Sequence, residues 1–231
     1  MTHCDNDNYG PSTPRRLPFP QPRDEWTART EPDRDDVTAE ALNRGTLRSQ
    51  MRSARRALSH AERTRAAELV VHRLCGLSIV RRAPTVALYR AFDGELDPGA
   101  LAQWVTERGR RVLYPRHAPR APLEFVEPTG WRTPEIGPPI PEGAPIALTA
   151  EDVVLVPGVA FDADGFRLGL GGGHYDRTLP GLSAPAIGLA FDFQCVPALP
   201  RESWDWPVSL VVTDRTLLAC REGVALLGEI D

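Results

Sequence analysis

The sequence predicts an α/β domain built on a largely parallel sheet and preceded by N-terminal helices. Two observations carry this. The runs "DVVLVPG", "AIGLAF" and "SLVVTD" are continuously apolar rather than alternating, as in strands covered on both faces. Short β-rich runs also alternate with helical or loop segments along the chain, the arrangement that connects parallel strands. At 231 residues the chain is long enough to bury a sizeable core in one domain.

Residues 1–38 carry six Pro, few large apolar residues and no periodicity, so burial cannot offset the entropy of ordering them. Disorder is predicted there, and 39–231 is predicted as the single α/β domain. "AEALNRGTLRSQMRSARRAL" places Leu47, Met51 and Leu58 near helical spacing among many Arg, of which Arg52, Arg55 and Arg56 are assigned to solvated helix surface. A second helix follows in "SHAERTRAAELVVHRL". Ser59 and Glu62 stand in capping-box spacing, and Ala66, Leu69, Val70 and Leu74 make its apolar face. After Pro84 come "TVALY", a helix in "PGALAQWVTERG" with Asp97 as N-cap and Pro98 in its first turn, then "RVLYP" and "LEFVE". The proline-rich "EIGPPIPEGAPIA" reads as an irregular loop over the sheet, and no internal repeat is present.

Charge excludes several functions. Residues 1–43 hold nine acidic residues and five Arg, so the net charge of −4 belongs to the tail and the remainder is balanced at 22 against 22. A neutral body argues against nucleic-acid binding by phosphate attraction. All 27 basic residues are Arg. Without Lys there is neither Schiff-base chemistry nor a P-loop lysine, and any phosphate clamp must use guanidinium. Cys4, Cys75, Cys195 and Cys220 are far apart and lack metal-type spacing, so they read as ordinary thiols of a reducing compartment. No apolar run approaches the roughly 20 residues of a membrane span, and "MTHCDNDNYGPSTPRR" lacks the hydrophobic stretch of a signal peptide. A cytoplasmic protein with no membrane partner is expected.

The densest signal is "RLGLGGGHYDR", residues 167–177, between the strand-like "VVLVPG" and the helix start "HYDRTL". Glycine lets backbone N–H groups approach an anion without a Cβ in the way and permits positive φ, and a helix N-terminus adds free N–H groups. A polyphosphate suits such a loop, though a tight structural turn uses the same residues. Arg167 and Arg177 bracket it, and Asp176 sits where a carboxylate can hold Mg²⁺ on a polyphosphate or simply complement the helix dipole.

The whole string "VPGVAFDADGFRLGLGGGHYDR" resembles the signature of the 5-formyltetrahydrofolate cyclo-ligase family, also called methenyltetrahydrofolate synthetase. Similarity runs from about residue 44 to 214 through "RGTLRSQMR", "ALYRAFDGELD", "RVLYPR", "AIGLAFDFQCVPALPRESWD" and "LVVTD". The resemblance implies a three-layer, mostly parallel sheet of the sugar isomerase and CoA-transferase type. It also implies conversion of 5-formyltetrahydrofolate and ATP, with Mg²⁺, into 5,10-methenyltetrahydrofolate, ADP and phosphate. A monomer is expected.

Carried over by residue, Arg44 and Arg48 match a Lys and an Arg that meet ATP, and their i, i+4 spacing puts both on one helix face. Arg167, Leu168, Gly169, Leu170, Gly171, Gly172, Gly173, His174 and Tyr175 match the ATP loop, within which Leu170 to His174 also meet the folate. Glu95 matches a glutamate used on the pterin; read from its position alone, it is an N-terminal acid ahead of the Pro98 helix. Asp176 and Asp205 match two acidic metal positions. Arg167 and His174 are the candidates for catalysis, His174 as a donor to the formyl oxygen or as a stacking residue. Ile140 replaces an expected Glu in the proline loop, where no site residue is assigned, and Trp131 is assigned to covering apolar surface. Two alternatives stay open on the residues: a paralogue acting on another formylated or pterin-like amine, and a non-catalytic nucleotide-binding regulator.

Overall fold

The computed structural model describes residues 43–220, so the disorder predicted for 1–38 lies outside the described residues. Helix α1 (Arg44–Ala57) starts where the Asn43 side chain accepts a hydrogen bond from the Gly45 N–H at 2.7 Å. The predicted capping box opens α2 (His60–Gly76): the Glu62 N–H donates to Ser59 Oγ and the Ser59 N–H donates to Glu62 Oε2. Ala66, Val70 and Leu74, one turn apart, face the core. Leu69 does not; it is 38% exposed, because it flanks that stripe rather than joining it. A short α3 (Ser78–Arg82) leads into β1 (Thr85–Ala87).

Helix α4 (Gly99–Thr106) begins one residue later than predicted. Pro98 is the N-cap, and Asp97 contributes by accepting from the Gly99 N–H at 2.9 Å. Strands β2 (Arg111–Arg116) and β3 (Glu124–Val126) follow. The proline-rich stretch is not wholly irregular: β4 (Gly130–Arg132) and β5 (Ile140–Glu142) pair in an antiparallel ribbon, with Trp131 opposite Pro141. Two strands need few ladder donors, so such a ribbon tolerates proline where a central strand would not.

After β6 (Val153–Pro157), the predicted connector is itself a hairpin of β7 (Ala160–Asp162) and β8 (Arg167–Leu168). Asp162 holds its turn by accepting from the N–H groups of Asp164 and Phe166. The rest comprises α5 (His174–Thr178), β9 (Ala186–Ala190), β10 (Cys195–Val196), β11 (Leu210–Thr213) and β12 (Leu217–Ala219).

Seven strands form the main sheet in the order β12-β11-β9-β6-β1-β2-β3. The pairs from β11 to β2 are parallel, and only the edge strands β12 and β3 are antiparallel. The predicted mixed α/β class with a mostly parallel sheet is the observed one. Along β6 the two-residue period divides the core: Val153 and Leu155 pack with α2, α3 and α4, whereas Val154 and Val156 pack with Phe125, Phe161 and Leu179. Each such fully buried aliphatic side chain contributes about 1.5–3 kcal/mol. A second sheet, β10-β7-β8, lies on the latter side. A third cluster joins Leu47 of α1 to Val159, Ala160 and Leu168, which ties the first helix to the strands leading into the glycine loop.

The sheet order creates the site. From β1 the chain passes to β2 on one side and then returns to β6 on the other. Beyond the carboxyl ends of strands that part in this way, connecting segments diverge and leave a crevice.

Candidate active site

A cleft of about 230 Å³ occupies that crevice. Tyr89, Arg90, Phe92 and Glu95 reach it from the segment after β1, Pro115 and His117 from the end of β2, and Pro157 to Val159 from the end of β6. Pro138 and Pro139 of the proline-rich stretch also line it. The far wall is the glycine loop.

Glycine is required there at identifiable points. Gly171 and Gly173 have φ of +108° and +63°, a region that L side chains rarely adopt. A Cβ on Gly172 would stand 2.7 Å from His174 Nε2. The loop therefore turns back against its own imidazole. Outside it, Arg48 Nε donates to the Gly169 carbonyl at 2.8 Å and Arg177 Nη2 donates to the Gly172 carbonyl at 2.7 Å. Two of the loop's carbonyls are thus held by guanidinium groups. The helix that follows is a single turn, His174–Thr178, capped by Gly173 without a side-chain hydrogen bond. Its dipole is correspondingly small, so the backbone N–H groups and arginines carry any anion affinity.

Of the predicted site residues, Glu95, Arg167, Gly169, Leu170, Gly172, Gly173, His174, Tyr175 and Asp176 line the cleft. Arg44, Arg48, Gly171 and Asp205 do not. Leu168 is 1% exposed and packs in the core with Leu47 and Val159, so only its backbone is available to a ligand. Arg55 corrects its sequence assignment as solvated surface: its side chain is fully buried. Arg52 and Arg56 do stay at the surface, 36% and 59% exposed, although both pair with Asp93 at 2.7 and 2.5 Å.

The acids come with counter-ions. Arg167, 3% exposed, donates to Asp176 Oδ1 at 2.8 Å and to the Trp206 carbonyl at 2.7 Å, and its guanidinium lies 5.6 Å from the Tyr175 ring centre. Arg44 grips both oxygens of Asp205, at 2.6 and 3.3 Å. Burial alone would raise the Asp205 carboxyl. The hydrogen bonds from Arg44 and the Glu202 N–H, with the charges of Arg44 and Arg167, reverse this and hold it below its ordinary value.

Among the described residues no group of three or more His, Cys, Asp or Glu is placed to hold a metal ion. Asp176 and Asp205 both act on the Arg167 charge, so the two carboxylates lie near one another; Mg²⁺, a small hard cation, is commonly held by one or two protein carboxylates plus phosphate and water oxygens.

On the opposite wall, Glu95 accepts from the Phe92 N–H at 3.1 Å, and its Oε1 lies 4.0 Å from Arg55 Nη1. Burial raises its carboxyl to about 7, against the Phe92 hydrogen bond and the Arg55 charge. The Tyr175 hydroxyl is buried with no hydrogen-bond partner, and burial raises it above the ordinary phenol range. A buried donor without a partner costs about 1–3 kcal/mol, so a polar ligand atom is the natural complement.

The sequence reading missed His117, whose ring centre lies 4.9 Å from that of His174. Burial, with His117 and the Arg177 charge beside it, lowers the His174 pKa below its ordinary value, which favours the neutral ring. The available signal was position: His117 directly follows "RVLYPR", at the carboxyl end of a parallel strand, where ligands of α/β sheets bind. Trp131 meets Tyr114 edge-on at 5.0 Å and lies under Arg90, consistent with its assignment as a cover on apolar surface.

Comparison with known proteins agrees with this geometry. The family model described as the 5-formyltetrahydrofolate cyclo-ligase family matches residues 40–214. The 5-formyltetrahydrofolate cyclo-ligase of Escherichia coli (strain K12) is 34% identical, the match covering 71% of this chain and 96% of the relative. The enzyme of that name from Haemophilus influenzae is 32% identical, over 71% and 94%. The solved Aquifex aeolicus 5,10-methenyltetrahydrofolate synthetase superimposes with a TM-score of 0.68 at 34% identity, over 78% of this chain and 94% of that one. Because the match runs from the start of α1 through β11 and takes in nearly the full length of these relatives, the chain belongs to the 5-formyltetrahydrofolate cyclo-ligase family.

Proposed function

We propose that this chain catalyses the ATP-dependent cyclisation of 5-formyltetrahydrofolate to 5,10-methenyltetrahydrofolate, with release of ADP and phosphate. The observation that carries the reading is the composition of the cleft. A braced glycine loop forms one wall, and the other holds a buried carboxylate, Glu95, beside the unpartnered Tyr175 hydroxyl. The relatives, 5-formyltetrahydrofolate cyclo-ligases and a 5,10-methenyltetrahydrofolate synthetase, support the same reaction.

A formyl oxygen is a poor leaving group and must be activated. Its lone pair attacks the γ-phosphorus of ATP, the bridging bond to the β-phosphate breaks, and ADP leaves with that electron pair. The resulting N5 iminium phosphate is attacked at carbon by N10, which loses its proton as the C–O bond breaks and phosphate departs. No covalent bond to the protein is needed, and the protein's part is positional and electrostatic. Loop N–H groups of Gly169 to Gly173 hold phosphate oxygens. Arg48 braces that loop at the Gly169 carbonyl, and Arg167, at its start, reaches Asp176 at its end. Glu95 accepts from donors of the pterin ring, and Tyr175 donates to a substrate oxygen. His174, whose pKa is lowered by burial, serves as a donor to the formyl oxygen or a stacking wall, with His117 against it. Asp176 and Asp205 would hold Mg²⁺, which when bound offsets phosphate charge and polarises the transferred phosphoryl group.

We take the enzyme to act as a monomer in the cytoplasm; the free thiols Cys75, Cys195 and Cys220 support the reducing compartment. Burial raises them to about 11, 12 and 12, so they are poor nucleophiles. No helix among the described residues is long and apolar enough to cross a membrane. The test is to mix purified protein with ATP, Mg²⁺ and 5-formyltetrahydrofolate and follow methenyl absorbance and ADP together. Equal amounts of both, each absent without the folate, are expected. ADP release indifferent to the folate would overturn the reading.

A further inference from the structure

The family reading leaves Arg55 without a task, yet it is the largest fully buried side chain among the described residues. It leaves α1 toward the cleft floor. Nη1 donates to the Gly158 carbonyl at 3.3 Å and Nη2 to the Asp93 carbonyl at 3.1 Å, with Asp93 Oδ2 at 3.4 Å and Glu95 Oε1 at 4.0 Å. Its Nε has no partner. Gly158, just after β6, and Glu95, on the segment after β1, both line the cleft. One guanidinium therefore reaches two parts of the cleft lining that are distant in sequence. Burying an unneeded cation there would be strongly unfavourable, and methionine or leucine would fill the same volume.

We propose that Arg55 is a positioning residue for the substrate: its buried charge holds the Glu95 carboxylate ionised and aimed into the cleft. The proposal rests on the reading of Glu95 as the acceptor for the pterin ring. Oε2 of Glu95 is committed to the Phe92 N–H, so Oε1 is the oxygen that Arg55 and a ligand share. The other groups facing Glu95 are Asp93 on its own loop, whose negative charge opposes ionisation, and the buried hydroxyls of Tyr89 after β1 and Tyr175 on α5. Arg55 is thus the cation that faces this carboxylate directly. Asp93 does not cancel it, because Asp93 is shared with Arg52 and Arg56 at shorter distances. The same helix carries Arg48, whose Nε holds the Gly169 carbonyl of the glycine loop, so α1 touches both the Glu95 side and the loop side of the cleft.

The discriminating variants are Arg55→Gln, which keeps N–H donors for the Gly158 and Asp93 carbonyls but not the charge, and Arg55→Lys, which keeps the charge. Two quantities are read from pH 5.5 to 9: the titration midpoint of Glu95, by carboxyl ¹³C NMR assigned with Glu95→Gln, and the KM for 5-formyltetrahydrofolate. In Arg55→Gln the midpoint rises by about one unit or more, and the folate KM at pH 7 rises about tenfold and recovers toward pH 9, with the KM for ATP unchanged within about twofold. In Arg55→Lys both quantities stay near wild type. A midpoint unmoved in Arg55→Gln overturns the proposal, as does a folate KM raised equally at every pH, which marks a structural role. If Arg55→Gln fails to fold, a folded Arg55→Lys whose midpoint shifts by more than about one unit overturns it equally. Wild-type folate KM in Glu95→Gln, with the midpoint still responding to Arg55, instead removes the folate role of Glu95 and leaves the electrostatic assignment standing.

Discussion

Replacing Glu95 with Gln should make the protein more stable and less active, with both effects growing as pH rises. Burial raises this carboxyl from 4.5 to about 7, so folding opposes its ionisation. For a raised acid the sign is fixed. Stability is fullest below the unfolded value and declines as pH climbs through the window from 4.5 to about 7. Linkage gives a penalty of about 1.4 kcal/mol at pH 5.5 and about 3 kcal/mol at pH 8. Glutamine carries none of it. The pull of the Arg55 charge on the carboxylate is already contained in the raised value, so the loss of that anion adds no separate contribution. The stability difference between variant and wild type should therefore move by about 2 kcal/mol in favour of the variant between pH 5.5 and 8. For a chain of this length that is a relative Tm shift of roughly 4–8 °C. Replacing a charged acceptor with an amide should weaken folate binding by about 1.5–3 kcal/mol at pH 8, tenfold or more, and by less at pH 5.5, where the wild-type carboxyl is already neutral. Thermal unfolding of both proteins at the two pH values, with folate KM alongside, checks the argument. A Tm difference that does not change with pH would refute it, because the carboxyl would then titrate as if solvated.

Arg48→Ala should raise the KM for ATP several-fold more than that for folate, because Arg48 braces the Gly169 carbonyl on the glycine loop; equal KM values for wild type and variant would remove α1 from the nucleotide site. Asp176→Asn should lower stability, because it strips the buried Arg167 of its counter-ion, and should also lose most turnover and need more Mg²⁺, a result read by titrating Mg²⁺ against rate for the folded variant; Mg²⁺ curves that superimpose on wild type would leave Asp176 only the role of counter-ion for Arg167. Removing residues 1–38 should leave Tm and kcat/KM unchanged within error, as their composition predicts, and a large loss of either would show that this segment packs on the domain.

Much of the sheet could be read from the chain because parallel central strands need apolar side chains on both faces. "VVLV", "AIGLA" and "LVVT" are such runs, and they occupy β6, β9 and β11. The capping box of α2 was equally plain, since its two hydrogen bonds link residues three apart. What stayed hidden depends on partners distant in sequence. Arg55 sits in an Arg-rich helix, and its burial is decided by Asp93 and Gly158, 38 and 103 residues away. The β4–β5 ribbon was obscured by prolines that argue against ladder pairing, and the β7–β8 hairpin by the shortness of its strands. His117 had no motif around it. Its meeting with His174 follows from the order of strands.

The absence of Lys bears on how such a site is kept ready for its ligand. A buried lysine can lose its proton when no anion is present, but guanidinium does not. Arg167 at 3% side-chain exposure therefore needs a counter-ion in the ligand-free protein, and Asp176 supplies it at 2.8 Å. Arg44, half turned to solvent, finds Asp205 in the same way. On the proposed reading these two aspartates are also the carboxylates for the metal, so each pair holds one group for phosphate and one for the cation bound to it. Arrival of a metal–polyphosphate would exchange partners rather than create charge: guanidinium turns to phosphate and carboxylate to metal, leaving the local charge balance nearly unchanged. Arg48 and Arg177 hold loop carbonyls rather than acids, so the loop itself need not rearrange in that exchange. The side chains that must move are those already paired with the opposite charge, and the glycine backbone they surround stays fixed, as positioning catalysis requires.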